Sequence, residues 1–274
     1  MPELLPEICA VNSVNPSTGV AQRFSAAATT YDSNAQVQRE AAAQLAAWLP
    51  HVPQPGALLE IGCGTGALTR ELIRRYPQRP LHVVEISASM VERCRATLPA
   101  SGQIRFHVED AAGFLPSEPV ALATSNCALH WIAPLHQTMR TLHDGLMPGG
   151  ALVASIMIEP TLGALRELRT EVAPHKPPRG KLPSREEALH AIQEAGFAVA
   201  ATETRMFTQI HASAGAFLRA LHETGVTGGA VSRSHQPLNR SELRDLEALC
   251  QQCLGDGQGG VRAEYHVLFV RAER

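Results

Sequence analysis

Three acidic residues, Glu60, Glu85 and Asp110, follow one another at intervals of 25 residues, each at or just past the end of a short apolar run. Directly after the first run comes Gly62-Cys63-Gly64-Thr65-Gly66. Glycines at a strand-to-helix turn let the backbone approach a ligand closely, and the N–H groups that open the helix point at it. In an open α/β sheet the carboxyl ends of the strands line one crevice, where ligands bind. Three acids there suit a ligand with a ribose diol, an adenine amino group and a cationic part; they would repel a pyrophosphate. Each feature has a plainer reading. Gly62-x-Gly64-x-x-Ala67 also satisfies the looser dinucleotide fingerprint, a glycine turn need hold no ligand, and a single acid at a strand end is commonly just solvated.

The elements that position these residues are legible in the hydrophobic pattern. Apolar runs at 57–61, 81–85, 104–108, 120–125 and 150–158 alternate with amphipathic stretches at 66–75, 88–98 and 134–145. That alternation predicts βαβ units and a parallel sheet covered on both faces. Beyond it, helices are expected at 162–172, from a Ser184 cap to Ala195 with Gly196 closing, at 213–223 and at 240–253. Strands are expected at 197–210 and 263–272. Ser33 or Asn34 would cap a helix running to Trp48, and residues 1–20, with Pro2, Pro6, Pro16 and Gly19, read as a loose arm.

Composition narrows the function. The chain has 274 residues, 45% hydrophobic and 18% charged, with a net charge of −2. It is neither disordered nor membrane-like, and no global basic field draws it to nucleic acid or anionic lipid. No apolar run is long enough to cross a bilayer and the first residues do not read as a secretory signal. Six scattered cysteines fit a reducing cytoplasm better than a disulfide framework. Cys250 and Cys253 have metal-like spacing but fall inside a helix with no second pair, and the twelve histidines form no ligand array, so no metal site is expected.

Glu60–Gly66, Glu85, Glu109-Asp110-Ala111 and Pro148-Gly149-Gly150 together resemble class I S-adenosylmethionine-dependent methyltransferases, over residues of about 34–160. The resemblance implies a Rossmann-like, seven-stranded, mostly parallel sheet, completed by the late strand pair, with helices on both faces and a helical lid. It implies that Glu60 and the Gly62, Cys63, Gly64, Thr65 and Gly66 loop pass the methionine portion of S-adenosyl-L-methionine. Glu85 would bind the ribose hydroxyls and Ile86 the adenine, with Asp110 and Ala111 at the adenine edge and Ser125 and Asn126 under the methyl donor. The flanks resemble the malonyl-[acyl-carrier protein] O-methyltransferases of biotin synthesis: Phe24, Tyr31, Ala35 and Gln38 in residues 23–45, Ser125–Ile132 after the fourth strand, and residues 163–169, 217–226 and 263–270. Glu85-Ile86, where relatives often have Asp and Leu, and Val226-Thr227, where they tend to have Gly-Ala, depart from that pattern. A single methyltransferase domain with lid elements at about 21–48, 160–184 and 211–258 follows.

Methyl transfer to a carboxylate is an in-line displacement onto a nucleophile already ionised near neutral pH, so proximity and exclusion of water carry it and no general base is required. Tyr31 is the candidate for closing over cofactor and substrate; packing of the N-terminal helix onto the sheet is its competing role. His130 and Trp131 are assigned to the substrate side, with a core contact equally open. The expected substrate is a malonyl thioester on acyl carrier protein or coenzyme A, with Arg23, Arg166 and Arg169 as candidates for pairing its carboxylate. The alternatives are methylation of another small carboxylic acid or natural product, and a cofactor-binding interaction protein without transferase activity. Residues 166–185 concentrate basic side chains and are either a carrier-docking surface or a solvated loop.

Overall fold

The computed structural model describes residues 16–51, 54–99, 103–132, 134–177, 180–226 and 237–274. Seven strands, β1 (Ala57–Ile61), β2 (Leu81–Glu85), β3 (Ile104–Val108), β4 (Val120–Asn126), β5 (Leu146–Ile158), β6 (Ala198–His211) and β7 (Val261–Glu273), form one sheet in the order β3-β2-β1-β4-β5-β7-β6. The first five pair in parallel and β7 runs antiparallel to both β5 and β6. All five residues of β1 and of β2 are buried, Glu60, His82 and Glu85 included, as strands covered on both faces must be.

Helices α1 (Pro16–Ala27), α2 (Tyr31–Asn34), α3 (Gln36–Ala46), α4 (Ala67–Arg75), α5 (Ala88–Thr97), α6 (Leu135–Gly145), α7 (Gly163–Val172), α8 (Arg185–Glu194), α9 (Ala214–Glu223) and α10 (Arg240–Cys253) surround the sheet. Strand side chains alternate between its faces. Leu58 and Phe269 join Leu45, Leu72 and Phe217 in one cluster, whereas their neighbours Leu59 and Leu268 join Leu142 and Ile192 in another. Among the described residues no helix is long and apolar enough to cross a membrane.

Three local expectations change. The helix α1 starts at Pro16, inside the stretch read as a loose arm; a proline in the first turn forfeits only an N–H that has no helical partner anyway. Residues 1–15 lie outside the described residues. The helix expected from Ser33 to Trp48 is two helices, broken at Ala35 (φ −87°, ψ 43°). Asn34 does not cap the second one: its amide donates to the Thr30 carbonyl (3.0 Å) and to the Glu223 carboxylate (2.9 Å), tying α2 to α9. Finally, β5 begins at Leu146 and carries Pro148-Gly149-Gly150 within it.

Ser87 caps α5, its hydroxyl accepting from the Met90 N–H at 3.2 Å and meeting the Ser25 hydroxyl of α1 at 2.9 Å. Ser87→Ala is expected to lower unfolding free energy by about 1 kcal/mol, read as a drop in urea midpoint with an unchanged m-value.

Candidate active site

The glycine turn after β1 is shaped by close approach. Gly62 has φ +71°, and a Cβ placed on it would stand 2.2 Å from the Ala128 Cβ, so no side chain fits between this turn and the one after β4. Gly66, at φ +93°, opens α4, and a Cβ there would stand 2.8 Å from the Cys94 sulfur. The turn forms one wall of a crevice of about 1360 Å³, including space open to solvent, at the carboxyl ends of β1, β2 and β4. Gly62, Gly64, Glu85, Ile86, Asp110 and Ala111 all line it.

Glu85 is held rigidly. One of its carboxylate oxygens accepts from the Gly64 N–H and the other from the Ser87 N–H, each at 3.0 Å. Burial raises its pKa above the ordinary carboxyl value, and the backbone donors oppose that rise. A carboxylate has about four acceptor sites, so this fixed group keeps capacity for the two hydroxyls of a diol. Asp110 is exposed and accepts from the Ala112 N–H (2.9 Å). Glu60 does not line the crevice; it lies with Cys63 and Thr65 in a smaller pocket beneath the glycine turn. It is 1% exposed, one of its oxygens has no hydrogen-bond partner, and burial pushes its carboxyl up to about 8.

The opposite wall comes from the N-terminal helices and the turn after β4. Cys127 adopts φ +50°, with its N–H shared between the Ser155 carbonyl and hydroxyl, each at 3.0 Å. That turn starts the short 3₁₀ segment Leu129–Trp131. Phe24 of α1 packs edge-on against Trp131 (5.2 Å between centroids) and Tyr31 (6.4 Å). Asp32 of α2 accepts from the Thr65 hydroxyl at 2.5 Å, fastening these helices to the glycine turn.

Asn126 lines the crevice, but its amide N–H goes to the Gln38 carbonyl (2.9 Å) and its oxygen takes the Ser155 hydroxyl (2.8 Å). Ser125 lines none of these cavities; its hydroxyl stitches β4 to the Ile61 carbonyl at 3.0 Å. Burial pushes His130 down to about 3 and leaves its Nδ1 without a partner, so the imidazole is neutral at neutral pH. Burial raises the pKa of Tyr31, so its phenol stays protonated.

Of the three arginines, Arg23 lines the crevice. Arg166 faces Glu159 (3.5 Å) and Arg169 is buried on α7 under the influence of Glu242; neither lines the crevice. Lys176 pairs with Glu242 (2.7 Å), Lys181 with Glu187 (2.6 Å), and Arg185 donates to the Thr202 hydroxyl (3.2 Å), so much of the basic 166–185 run is partnered within the chain. Arg179 of that run, like Thr227, lies outside the described residues. Met90, Cys127, Ala128 and Lys181 also line the crevice and were not among the expected site residues. The Gly62–Ala128 approach depends on strands remote in sequence, so no local signal marks Ala128.

A second cavity, of about 600 Å³ including space open to solvent, lies behind His130 and Trp131, which line both spaces. It lies among the ends of β5 (Met157), β6 (His211) and β7 (Tyr265), with Leu221 of α9 and Gln38 of α3.

The sheet order, the glycine turn and the fixed acid that ends β2 define a class I S-adenosylmethionine-dependent methyltransferase. A methyltransferase-domain family model matches residues 58–150. The fold matches that of a Mesorhizobium loti S-adenosylmethionine-dependent methyltransferase (TM-score 0.50, 19% identity, 85% of this chain and 96% of that one). It also matches a Bacillus halodurans C-125 structure described as a methyltransferase (TM-score 0.62, 13% identity, 85% and 98%). Among relatives, the malonyl-[acyl-carrier protein] O-methyltransferase of Magnetococcus marinus is 32% identical over 88% of this chain and 87% of its own. A malonyl-[acyl-carrier protein] O-methyltransferase of Ilyobacter polytropus is 27% identical over 93% and 94%. The chain belongs to the malonyl-[acyl-carrier protein] O-methyltransferase family.

Glu60 gives a pH signature. Between its ordinary value of 4.5 and about 8 the folded protein keeps a proton that the unfolded chain has released, so stability is fully present below that window and falls as pH rises through it, by up to about 1.4 kcal/mol per pH unit. Glu60→Gln has no proton to hold. Chemical denaturation of both proteins from pH 5 to 8, without cofactor, should show the variant gaining on the parent as pH rises; parallel curves would mean that Glu60 is ionised in the fold.

Proposed function

We propose that this enzyme methylates the free carboxylate of a malonyl thioester carried on an acyl carrier protein, forming the methyl ester. The observation that carries this reading is the second chamber behind His130 and Trp131, which gives a substrate its own space against the cofactor crevice. The relatives, similar over nearly the whole chain, are named for that substrate. S-adenosylmethionine supplies an electrophilic methyl group on a sulfonium.

In this reading Glu85 takes the ribose diol, Ile86 and Ala111 flank the adenine, Asp110 meets its edge, and the turn through Gly62 and Gly64 passes the methionine chain. The substrate carboxylate needs no base, which agrees with a His130 that is neutral and a Tyr31 that stays protonated. Tyr31, whose hydroxyl has no hydrogen-bond partner among the described residues, donates to the reacting carboxylate and holds it in line. Arg23 supplies the cation at the crevice, and Trp131 walls the substrate. Arg166 and Arg169 support the lid through α7. Residues 21–48, 160–184 and 211–258 act together as that lid, excluding water from the transfer.

The test is mass spectrometry of purified enzyme with S-adenosylmethionine and malonyl-acyl carrier protein, with malonyl-coenzyme A and free malonate in parallel. A gain of one methyl group on the carrier-bound malonyl supports the reading; product only with the coenzyme A thioester corrects the carrier, and no product with any of them sinks the substrate. Tyr31→Phe is expected to lower kcat roughly tenfold, the effect of one hydrogen bond of about 1.4 kcal/mol, with cofactor affinity unchanged by calorimetry.

A further inference from the structure

The chamber behind the His130–Trp131 wall has a chemistry of its own. His211, the last residue of β6, is 8% exposed, and its Nε2 has no hydrogen-bond partner. Its ring leans on Phe217 at 5.1 Å between centroids, which fixes where that nitrogen sits. The Tyr265 hydroxyl, from β7, has no partner among the described residues either, and the amides of Gln38 and Gln209 complete a set of neutral donors and acceptors. Among the described residues lining the chamber there is no lysine or arginine. Met157, Leu162 and Leu221 supply the apolar remainder.

Such a lining discriminates by charge. A carboxylate entering it would lose its water without meeting a cation on these walls. A neutral amide or thioester would lose far less, and would satisfy groups that otherwise stay unpaired. Burial lowers the pKa of His211, so its imidazole is neutral and offers one donor and one acceptor, the complement of an amide. Position points the same way. The chamber shares the His130–Trp131 wall with the crevice, so it adjoins a carboxylate held there and has room for the rest of that molecule.

We propose that this chamber is the subsite for the uncharged thioester-and-amide segment that follows the malonyl group, and that His211, with Tyr265, reads it. The assignment rests on the malonyl-thioester reading above. It makes the chamber a selector of orientation: the charged end is turned toward the cofactor because only the neutral end is accepted at the back. His211 and Tyr265 are then substrate-binding residues that determine specificity, without part in the methyl transfer itself.

The experiment compares two small substrates that share the carboxylate. Malonyl-N-acetylcysteamine carries a thioester and an amide; monoethyl malonate carries neither. His211→Phe keeps a ring against Phe217 and deletes the hydrogen bonding. It is expected to raise KM for the thioester about tenfold, while KM for the half-ester stays within about twofold and cofactor affinity is unchanged. His211→Gln, which keeps a donor and an acceptor, should restore most of the loss. Tyr265→Phe, which removes only a hydroxyl, should show the same selective effect should His211→Phe fold poorly. Equal losses on both substrates, or no loss in either soluble variant, would overturn the assignment. Failure of the parent enzyme to methylate malonyl-acyl carrier protein as well as these two substrates would instead overturn the malonyl reading, and the subsite with it; turnover of the carrier substrate alone moves the same KM comparison of the variants onto it.

Discussion

Everything at this site hangs on one contact between two turns. β1 and β4 are neighbours in parallel register, with Ile61 opposite Ser125, so the chain leaving each strand turns in the same small volume. The turns meet at Gly62 and Ala128 with no room for another carbon. That packing demands a glycine on one side. On the other it forces Cys127 into a left-handed conformation, which costs on the order of 1–3 kcal/mol and is held by two hydrogen bonds from its N–H to Ser155. From this junction the glycine turn faces the cofactor and the 3₁₀ segment carries His130 and Trp131 to the other wall. Asn126, one residue earlier, fastens the junction to α3 through the Gln38 carbonyl.

Around that junction the protein limits the charge it presents. The three regularly spaced acids play three different parts. Glu85 is a fixed, buried acceptor lining the crevice, Asp110 an exposed one, and Glu60 a buried carboxyl beneath the loop whose proton is held by the absence of water, against the opposing pull of Thr69 and Arg70. His130, also stripped of water, is neutral. A sulfonium and a carboxylate brought into such surroundings attract each other with little screening, and the carboxylate is freed of the solvation that would blunt it as a nucleophile. That is consistent with a site in which no side chain is a good base.

Most of the scaffold was legible because its signals are local. The runs 57–61, 81–85 and 104–108 form the strands expected of them, Ser184 caps α8 as expected, in a capping box with Glu187, and Gly196 closes it. The glycine turn and two of the acids likewise announced their places. What escaped depends on tertiary contact. Asn34 reads as a cap by type, yet its amide is drawn to Glu223, 189 residues away, and the helix breaks. Ser125 reads as a ligand group, yet it lines none of the cavities and its hydroxyl holds β4 to β1, while Asn126 lines the crevice as expected and also ties β4 to α3. Arg166 and Arg169 are cations of the right type on the right helix, but α7 turns one toward Glu159 and buries the other. Charge state was hidden for the same reason: nothing in the letters around Glu60 or His130 says how much water reaches them.

The N-terminal helices bind these parts into a single device. Asp32 takes the hydroxyl of Thr65 in the glycine turn, while Thr30 donates to the Glu223 carbonyl and Asn34 to its carboxylate, at the far end of α9. Tyr31 stands between these ties, and Phe24 links it to Trp131. A segment fastened at one end to the cofactor loop and at the other to the helix that lines the substrate chamber cannot shift over one without disturbing the other. Elements fastened at both ends shift as units when they shift at all, because packed interfaces resist continuous deformation. The crevice and the chamber are thus joined physically through four consecutive helical residues and the threonine before them.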